Sequence, residues 1–453
     1  MKSLTLFISI MLILFSNTLA GQPTKFQKWQ QPGFFKGFTM SVWDIKDMRE
    51  VNQEDFDSLK AIGATLVVIE TQGSMDDKPP YGPNIYYQEG DYIVLHIEML
   101  DRMVGFARNA GLMYVIAVRD GPGRIDVSEQ GNSTVWTNPA EQQLYGQMLK
   151  EMAARYLPDT LFVGMVMTVE PNPFGELWEP PIAVLDSALQ ANNIDLNVIQ
   201  SIWIDSIRTI NQDLPLIAGG NHASHPEYFS LMGKQADNNI VYTTHLYNPA
   251  NYSHASDPYS LTYPGDYWCV RLDAQSYFDK TFLKDELYKP VSDFQTTYNV
   301  PILVGEFGIM VPQNGGETYL RDIASIACEQ GWHYAIWGFN NGPEFNYKDL
   351  DSMYGTNYWG LVKSLMDCNF TSINDLSSEQ EKIEIRPNPF SEFCVIKTDA
   401  FADIEIFDSF GRSIVKAKGQ IVWEPDFYLS EGVYFVSVRF NNKTITKPLI
   451  FLK

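Results

Sequence analysis

The chain has 453 residues, 45% of them hydrophobic, and its 33 basic and 55 acidic residues give a formal net charge of −22. This length fits one large domain followed by a small one. The acidic balance argues against binding through nucleic-acid phosphates, so we expect no nucleic acid among the partners.

Residues 1–20 have the pattern of a secretory signal peptide. Lys2 precedes an apolar stretch from Leu4 to Phe15, and small and polar residues follow as far as Ala20. This order predicts cleavage after Ala20. The alternative is a membrane anchor, for which the stretch is short. We expect no membrane span once the signal is removed.

Four cysteines follow the signal: Cys269, Cys328, Cys368 and Cys394. No pair has metal-ligand spacing, so we expect no metal site built on them. Export permits disulfides, but four cysteines allow three pairings, and free buried thiols are equally compatible with the sequence.

Apolar runs alternate with helical patterns between residues 36 and 339. The runs predict strands at 36–44, 64–70, 112–119, 161–170, 214–219, 240–246, 301–306 and 333–339. Between them, helices are predicted at 53–62, 97–110, 139–156, 194–211, 225–232, 273–297 and 317–330. The number of units and their length fit an α/β fold of the (β/α)8 TIM-barrel class. A doubly wound sheet is the main rival, but no glycine-rich phosphate turn follows the first strand.

The pattern changes after residue 370. Residues 371–382 are polar and predict a linker. Short alternating runs separated by turn residues then fill 383–453, which predicts a small all-β sandwich. We therefore divide the chain into a signal peptide (1–20), a barrel (21–370), a linker and a sandwich.

Two glutamates end predicted barrel strands. Glu170 ends the fourth strand and Glu306 ends the seventh, after the apolar run at 301–304. The carboxyl ends of barrel strands are where catalytic side chains lie. A pair of carboxyl groups is what glycoside hydrolysis requires, one to protonate the leaving oxygen and one to attack or to activate water. A structural, salt-bridged role is the alternative for either glutamate.

Further polar and aromatic residues occupy the same predicted edge. His245 and Tyr247 end the sixth strand, Trp337 ends the eighth, and Trp43 ends the first. A tyrosine hydroxyl can orient a carboxylate, and an indole face suits a sugar ring. Core packing is the alternative for each aromatic residue. We interpret Glu70, Asp120, Glu176 and Glu179 as loop or surface acids, with contacts to sugar hydroxyls as the alternative. Trp136 and Trp178 lie in predicted loops at the mouth of the barrel, either as outer sugar contacts or folded back as lids over the core.

Four short motifs resemble glycoside hydrolase family 5, the cellulase-type retaining enzymes. They are VGEFG at 304–308, HLY at 245–247, VEP at 169–171 and the tryptophan of AIWGF. The resemblance spans about residues 30–366. It implies Glu306 as nucleophile, Glu170 as acid/base, and His245, Tyr247 and Trp337 as contacts of the catalytic sugar. It also implies a β-linked polysaccharide as substrate, glucan first and mannan second, with no cofactor.

The chain departs from the family pattern at three positions. Val169 stands where an Asn normally precedes the acid/base, Val68 where the second strand normally offers Arg, and Arg119 where the third strand normally ends in His. We expect Arg119 to supply part of the missing positive charge next to Glu306. These departures keep open a catalytically weakened barrel that acts as a surface glycan-binding protein. A metal-dependent hydrolase is a more distant alternative, because the six histidines show no ligand spacing.

The C-terminal region resembles the sorting domain of the type IX secretion pathway. The match rests on IRPNPFSE at 385–392, DIEIFDSFGRSIV at 403–415 and EGVYFVSV at 431–438. It implies the type IX machinery as a partner and delivery to the cell surface or the medium. A carbohydrate-binding sandwich, with Trp423 as a platform, is the alternative. We expect the secreted protein to be a monomer.

Overall fold

The computed structural model forms two compact units, Met1–Asn369 and Phe370–Lys453. It describes residues 23–41, 51–71, 87–89, 92–94, 98–124, 133–175, 177, 180–269, 271–339, 345–347, 351, 354, 356–368, 383–398, 402–408, 411–426, 428–440 and 443–453. The predicted signal peptide and linker lie outside the described residues. So do Trp43, Glu176, Trp178 and Glu179.

The first unit is a closed barrel of eight parallel strands, each paired with its neighbours in the sequence. The strands are β1 Lys36–Ser41, β2 Leu66–Thr71, β3 Met113–Val118, β4 Phe162–Val166, β5 Leu216–Gly219, β6 Ile240–His245, β7 Ile302–Glu306 and β8 His333–Trp337. The predicted (β/α)8 fold is therefore confirmed. The described positions of most strands are buried, which is why they appear in the sequence as nearly continuous apolar runs.

Helices surround the barrel. The longer ones are α1 Lys25–Trp29, α2 Gln53–Ala61, α3 Glu98–Ala110, α4 Pro139–Tyr156, α5 Ile182–Ala191, α6 Leu196–Arg208, α7 Lys289–Tyr298, α8 Gly316–Glu329 and α9 Tyr358–Leu365. Helix α4 has the predicted bounds because Asn138 accepts a hydrogen bond from the Ala140 amide at 3.0 Å and Pro139 occupies the first turn.

One predicted helix is wrong in part. Residues 273–297 were expected to be helical, but Ala274–Phe278 pairs with Gly265–Cys269 in an antiparallel hairpin, and the helical region begins at Lys280. Buried and exposed positions alternate along both strands of the hairpin. An alternation with a period of two that lasts only five residues is too short to be recognised beside the longer helical pattern.

The interior of the barrel is apolar, and its amino-terminal end is closed by aromatic residues. Trp29 of α1 is buried and donates a hydrogen bond from its indole nitrogen to the Val163 carbonyl at 2.9 Å. Phe35 packs against Trp29, and its amide donates to His333 at 3.1 Å. The polar side chains His245 and Glu306 lie at the opposite end, where the strands finish. In the described part of the chain, no helix is both long and apolar enough to cross a membrane.

A disulfide joins Cys328, near the end of α8, to Cys368, which follows α9. Cys269 and Cys394 are buried free thiols. The structure thus combines the two possibilities that the sequence left open, with one disulfide and two free buried thiols.

The second unit contains seven described strands in two antiparallel sheets. They are β9 Ile383–Arg386, β10 Cys394–Thr398, β11 Asp403–Phe407, β12 Ser413–Lys418, β13 Gln420–Trp423, β14 Gly432–Phe440 and β15 Lys443–Phe451. The sheets have the orders β9-β10-β13 and β12-β11-β14-β15. Trp423 is 2% exposed and packs against Phe390 and Tyr434 in the core, so it offers no sugar platform.

Candidate active site

Glu306 and His245 lie side by side at the ends of β7 and β6. They are register partners across the two strands, and each is 4% exposed. The Tyr247 hydroxyl, two residues beyond His245, donates to Glu306 Oε2 at 3.1 Å. Gly305 makes this close approach possible, because a Cβ there would lie 2.4 Å from Thr243 Oγ1 and 3.0 Å from His245 Nε2.

Glu170 reaches the same place from a turn and not from a strand. The fourth strand ends at Val166, so the predicted strand 161–170 is too long. Glu170 has φ of 49°, a left-handed conformation that is costly for a residue with a side chain. Buried Arg124 holds this turn, since its Nη2 donates to the carbonyls of Val169 at 2.6 Å and Glu170 at 3.2 Å.

The two glutamates share one imidazole nitrogen. His245 Nδ1 lies 3.1 Å from Glu170 Oε1 and 3.5 Å from Glu306 Oε2. One carboxylate oxygen of each glutamate and this nitrogen all lie within 4.8 Å of one another. The fold therefore brings together the pair that the sequence predicted, and one oxygen of each carboxylate lies within 4.8 Å of the other, which is compatible with the roughly 5–5.5 Å between carboxyl groups of retaining glycosidases.

Arg119 connects Glu170 to a third carboxylate, Glu70. Glu70 pairs with Ala117 across β2 and β3, so Arg119, two residues further along, points to the same face. Its Nε contacts Glu70 Oε1, and its Nη1 lies 3.1 Å from Glu170 Oε2. Glu70 is fully buried, so its interpretation as a loop or surface acid is wrong. The ion pairs of Arg119 are with Glu70 and Glu170, and its charge also acts to lower the pKa of Glu306, as expected from the sequence, against the larger effect of burial.

These contacts divide the charge unequally between the two central glutamates. Arg119 and His245 hold the pKa of Glu170 below its usual range, against the opposing effect of burial. Burial, followed by the charges of Glu170 and Glu70, raises the pKa of Glu306 well above its usual range. A proton held by this pair therefore favours Glu306 over Glu170.

The predicted tryptophans differ in position. Trp337 ends β8 as expected but is only 6% exposed, so little of its indole face is open. Trp136 is 2% exposed and lies under the Arg124 guanidinium, 5.6 Å from its ring centre. Trp136 is thus part of the support for the Glu170 turn and is no outer sugar contact. Asp120 is buried as well.

Sequence reasoning missed Arg124 altogether. It follows the turn Asp120–Gly123 after β3, and the Gly121–Arg124 bridge closes that turn. A cation directly after a glycine-rich turn at the catalytic end of a barrel strand was the available signal. The sequence also contained a signal for Glu70, because this residue ends an apolar run, as Glu170 and Glu306 were predicted to do.

Glu170, His245 and Glu306 are also ligand types that a divalent cation takes. The guanidinium of Arg119 already provides a positive charge at Glu170, which opposes cation binding there. In the described ranges, no other group of three such side chains comes together.

Comparison with known proteins identifies the barrel. The family model described as Cellulase (glycosyl hydrolase family 5) matches residues 31–343. The chain belongs to glycosyl hydrolase family 5. This family 5 protein is accordingly an O-glycosyl hydrolase, and a polysaccharide is its substrate class.

Its similarity to individual relatives is distant. It is 22% identical to Endoglucanase C of Acetivibrio thermocellus over 293 residues, which cover 58% of this chain and 76% of the relative. The solved structure of the endoglucanase Cel5A from Thermotoga maritima aligns with a TM-score of 0.53 at 16% identity, covering 76% of this chain and 99% of the other. A structure of the same Thermotoga protein with mannotriose aligns with a TM-score of 0.51 at 16% identity, covering 76% and 99%. The solved structures support the barrel fold.

The C-terminal unit matches the family model of a secretion system C-terminal sorting domain over residues 384–452. This family 5 enzyme is therefore exported to the cell surface or the extracellular space by the secretion machinery that reads such a domain. The match replaces the alternative of a carbohydrate-binding sandwich.

Proposed function

We propose that this protein is an endo-acting β-1,4-glucanase that cleaves its polymer with retention of configuration, with β-mannan as the second candidate substrate. The separation of the two carboxylates, with oxygen atoms within 4.8 Å, is the observation that carries the proposal. An inverting enzyme keeps its carboxyl groups about 6.5–9.5 Å apart to admit a water molecule. The distant likeness to endoglucanases favours glucan over mannan.

In the proposed mechanism, Glu306 attacks the anomeric carbon and Glu170 protonates the leaving oxygen. The carbon–oxygen bond of the glycoside breaks as the bond to Glu306 Oε forms. Glu170 then removes a proton from water, which attacks the same carbon and releases Glu306. Tyr247 orients the Glu306 carboxylate through its 3.1 Å hydrogen bond. Trp337 and His245 border the sugar that is bound there.

The charges around the two glutamates oppose these roles in one respect. Glu306 must be ionised to attack and Glu170 must be protonated to act as an acid, whereas Arg119 and His245 favour the reverse. We propose that the proton moves from Glu306 to Glu170 when substrate binds, by way of His245 Nδ1. This nitrogen lies 3.1 Å and 3.5 Å from the two carboxylates. A sugar that excludes water next to Glu306 and places its glycosidic oxygen at Glu170 favours this transfer.

The test is hydrolysis of a panel of polymers by the full chain, comprising carboxymethylcellulose, mixed-linkage β-glucan, β-mannan and xylan. We expect activity on one β-glucan, lost in both Glu306→Gln and Glu170→Gln. Glu329→Gln is the matched control, because Glu329 pairs with surface lysines at the far end of α8. Binding without turnover in the unaltered protein, equal in the variants, would refute the proposal and support a glycan-binding role.

A further inference from the structure

The hairpin formed by Gly265–Cys269 and Ala274–Phe278 has one face turned to solvent. The exposed positions are the second and fourth residues of each strand: Asp266 and Trp268 on the first, Gln275 and Tyr277 on the second. Trp268 is opposite Gln275, and Asp266 is opposite Tyr277. The two aromatic rings are therefore diagonal neighbours on a single surface, each beside a hydrogen-bonding side chain.

These two rings are unusually open for their size. Trp268 is 51% exposed and Tyr277 is 55% exposed, although large aromatic side chains normally bury most of their surface. Neither lies on the face through which the hairpin packs, which is the opposite one. Phe278 is buried and packs against Phe282 and Tyr267, with ring centres 4.5 Å and 5.9 Å away.

The hairpin is firmly attached to the loops at the catalytic end of the barrel. Arg271, in its turn, lies 3.1 Å from Glu227 of the loop after β5 and 2.8 Å from Glu286. At its base, Thr262 forms a bridge with Asn314, which belongs to the loop that follows Glu306. The hairpin is itself an insertion between β6 and α7, in the connection that carries Tyr247. These loops leave the carboxyl ends of strands, so the turn and the start of the hairpin are attached to the active-site side of the barrel. The chain after the hairpin leads away from that side, since Lys280 pairs with Glu329 at the far end of α8.

We propose that Trp268 and Tyr277 form a surface site that binds a strand of neutral β-linked polysaccharide outside the catalytic centre. The flat faces of pyranose rings stack on aromatic rings, and Gln275 and Asp266 can bond to the hydroxyl groups at the ring edges. The site would hold the polymer beside the loops that bear Tyr247 and Glu306. This inference rests on the proposed function in taking the same polysaccharide as its ligand.

A neutral glycan fits this face better than other occupants. The chain carries a net charge of −22, and Asp266 adds a negative charge to the face itself, which disfavours acidic polymers and nucleic acid. A second copy of the chain would bring the same Asp266 into the interface. Two rings with polar neighbours also make a smaller apolar area than a stable protein interface requires.

Affinity electrophoresis of the full chain in native gels containing mixed-linkage β-glucan tests the proposal, with β-mannan and starch gels run beside it. We expect Trp268→Ala and Tyr277→Ala each to weaken retardation in one β-linked polymer roughly three- to tenfold. Trp268→Phe should retain most of it. Hydrolysis of a short soluble cello-oligosaccharide should be unchanged in these variants, because the catalytic centre is intact.

Tyr298→Ala is the matched control. Tyr298 is also exposed, but it ends α7 just before β7 begins, at the opposite end of the barrel, and its removal should not alter retardation. Unchanged retardation in both hairpin variants would overturn the proposal, as would a hairpin variant that only changes the oligomeric state in size-exclusion chromatography. Retardation does not depend on turnover, so an unaltered protein that binds through the hairpin but cleaves no polymer would refute the proposed function alone.

Discussion

Removal of Arg119 should destabilise the barrel through Glu70 as well as impair the active site. Glu70 is fully buried, and among the described residues only Arg119 donates a hydrogen bond to it. No described side chain or amide bonds to its other oxygen. Arg119→Ala therefore leaves a buried carboxylate without its counter-charge, a change that typically costs about 3–5 kcal/mol.

The loss should depend on pH in a defined direction. Burial already raises the pKa of Glu70, and without Arg119 it rises further, because Arg119 is the largest of the contributions that lower it; Glu70 then folds as the neutral acid. Protonating a carboxyl group whose unfolded pKa is about 4.3 costs about 3.7 kcal/mol at pH 7 and about 1 kcal/mol at pH 5. A raised folded pKa lowers stability above the unfolded pKa, and the loss of Arg119 raises the folded pKa of Glu70 further, so the deficit of the variant should shrink between pH 7 and pH 5, by at most about 2.7 kcal/mol.

Urea denaturation, monitored by the circular dichroism of the barrel helices, measures this deficit at both pH values. The double variant Glu70→Gln/Arg119→Ala is the control, because a neutral amide needs no counter-charge and should restore most of the lost stability at pH 7. A deficit that is equal at both pH values and persists in the double variant would refute the reasoning. This outcome would mean that Arg119 stabilises the barrel through packing and not through its charge.

The double variant also isolates the effect of Arg119 on the reaction. Arg119 holds the pKa of Glu170 down, so its loss should allow the catalytic pair to keep its proton to higher pH. We therefore expect the alkaline limb of the kcat/KM profile to move upward in the double variant. An unmoved limb would show that the 3.1 Å contact between Arg119 and Glu170 does not affect catalysis.

Three other changes test separate parts of the site and its support. Tyr247→Phe removes a hydrogen bond that favours ionised Glu306, so the pKa of Glu306 should rise further and the alkaline limb of kcat/KM should move up; an unmoved alkaline limb would contradict this role. Reduction of the Cys328–Cys368 disulfide, which spans 40 residues, should lower the free energy of unfolding by about 4 kcal/mol in urea titrations, and no loss would contradict the bond. Gly305→Ala should lower kcat by displacing the side chains against β7, while its Tm falls only slightly; full activity would show that the close approach is not required.

The sequence predicted the barrel well because parallel strands that are buried on both faces have a simple signature. The runs that end at Glu70, Glu306 and Trp337 are continuous and apolar, and each is bounded by a helix or a turn. The hairpin before α7 was not predicted, since two five-residue strands carry too little alternation to compete with the helical pattern beside them. Its outward face, with Trp268 and Tyr277, was missed for the same reason.

The sequence predicted which residues form the site better than it predicted the contacts between them. Strand ends bring Glu306 and His245 together by topology alone, so they could be proposed without coordinates. The contact between Arg119 and Glu70 could not be proposed in this way, because the two residues are 49 positions apart and only the β2–β3 register places them within reach. The left-handed turn at Glu170 also depends on contacts with Arg124 that no local pattern encodes.

The most direct test of the account is to trap the glycosyl-enzyme. The full chain is incubated with a 2-deoxy-2-fluoro glycoside of cellobiose that carries a good leaving group, and the labelled peptide is identified by mass spectrometry. The account predicts one sugar attached to Glu306 through an ester, with none in Glu306→Gln. A label on Glu170 would show that the residue held ionised by Arg119 is the nucleophile, and the assigned roles would be reversed. Turnover of the natural polymer with inversion of the anomeric centre would contradict double displacement altogether.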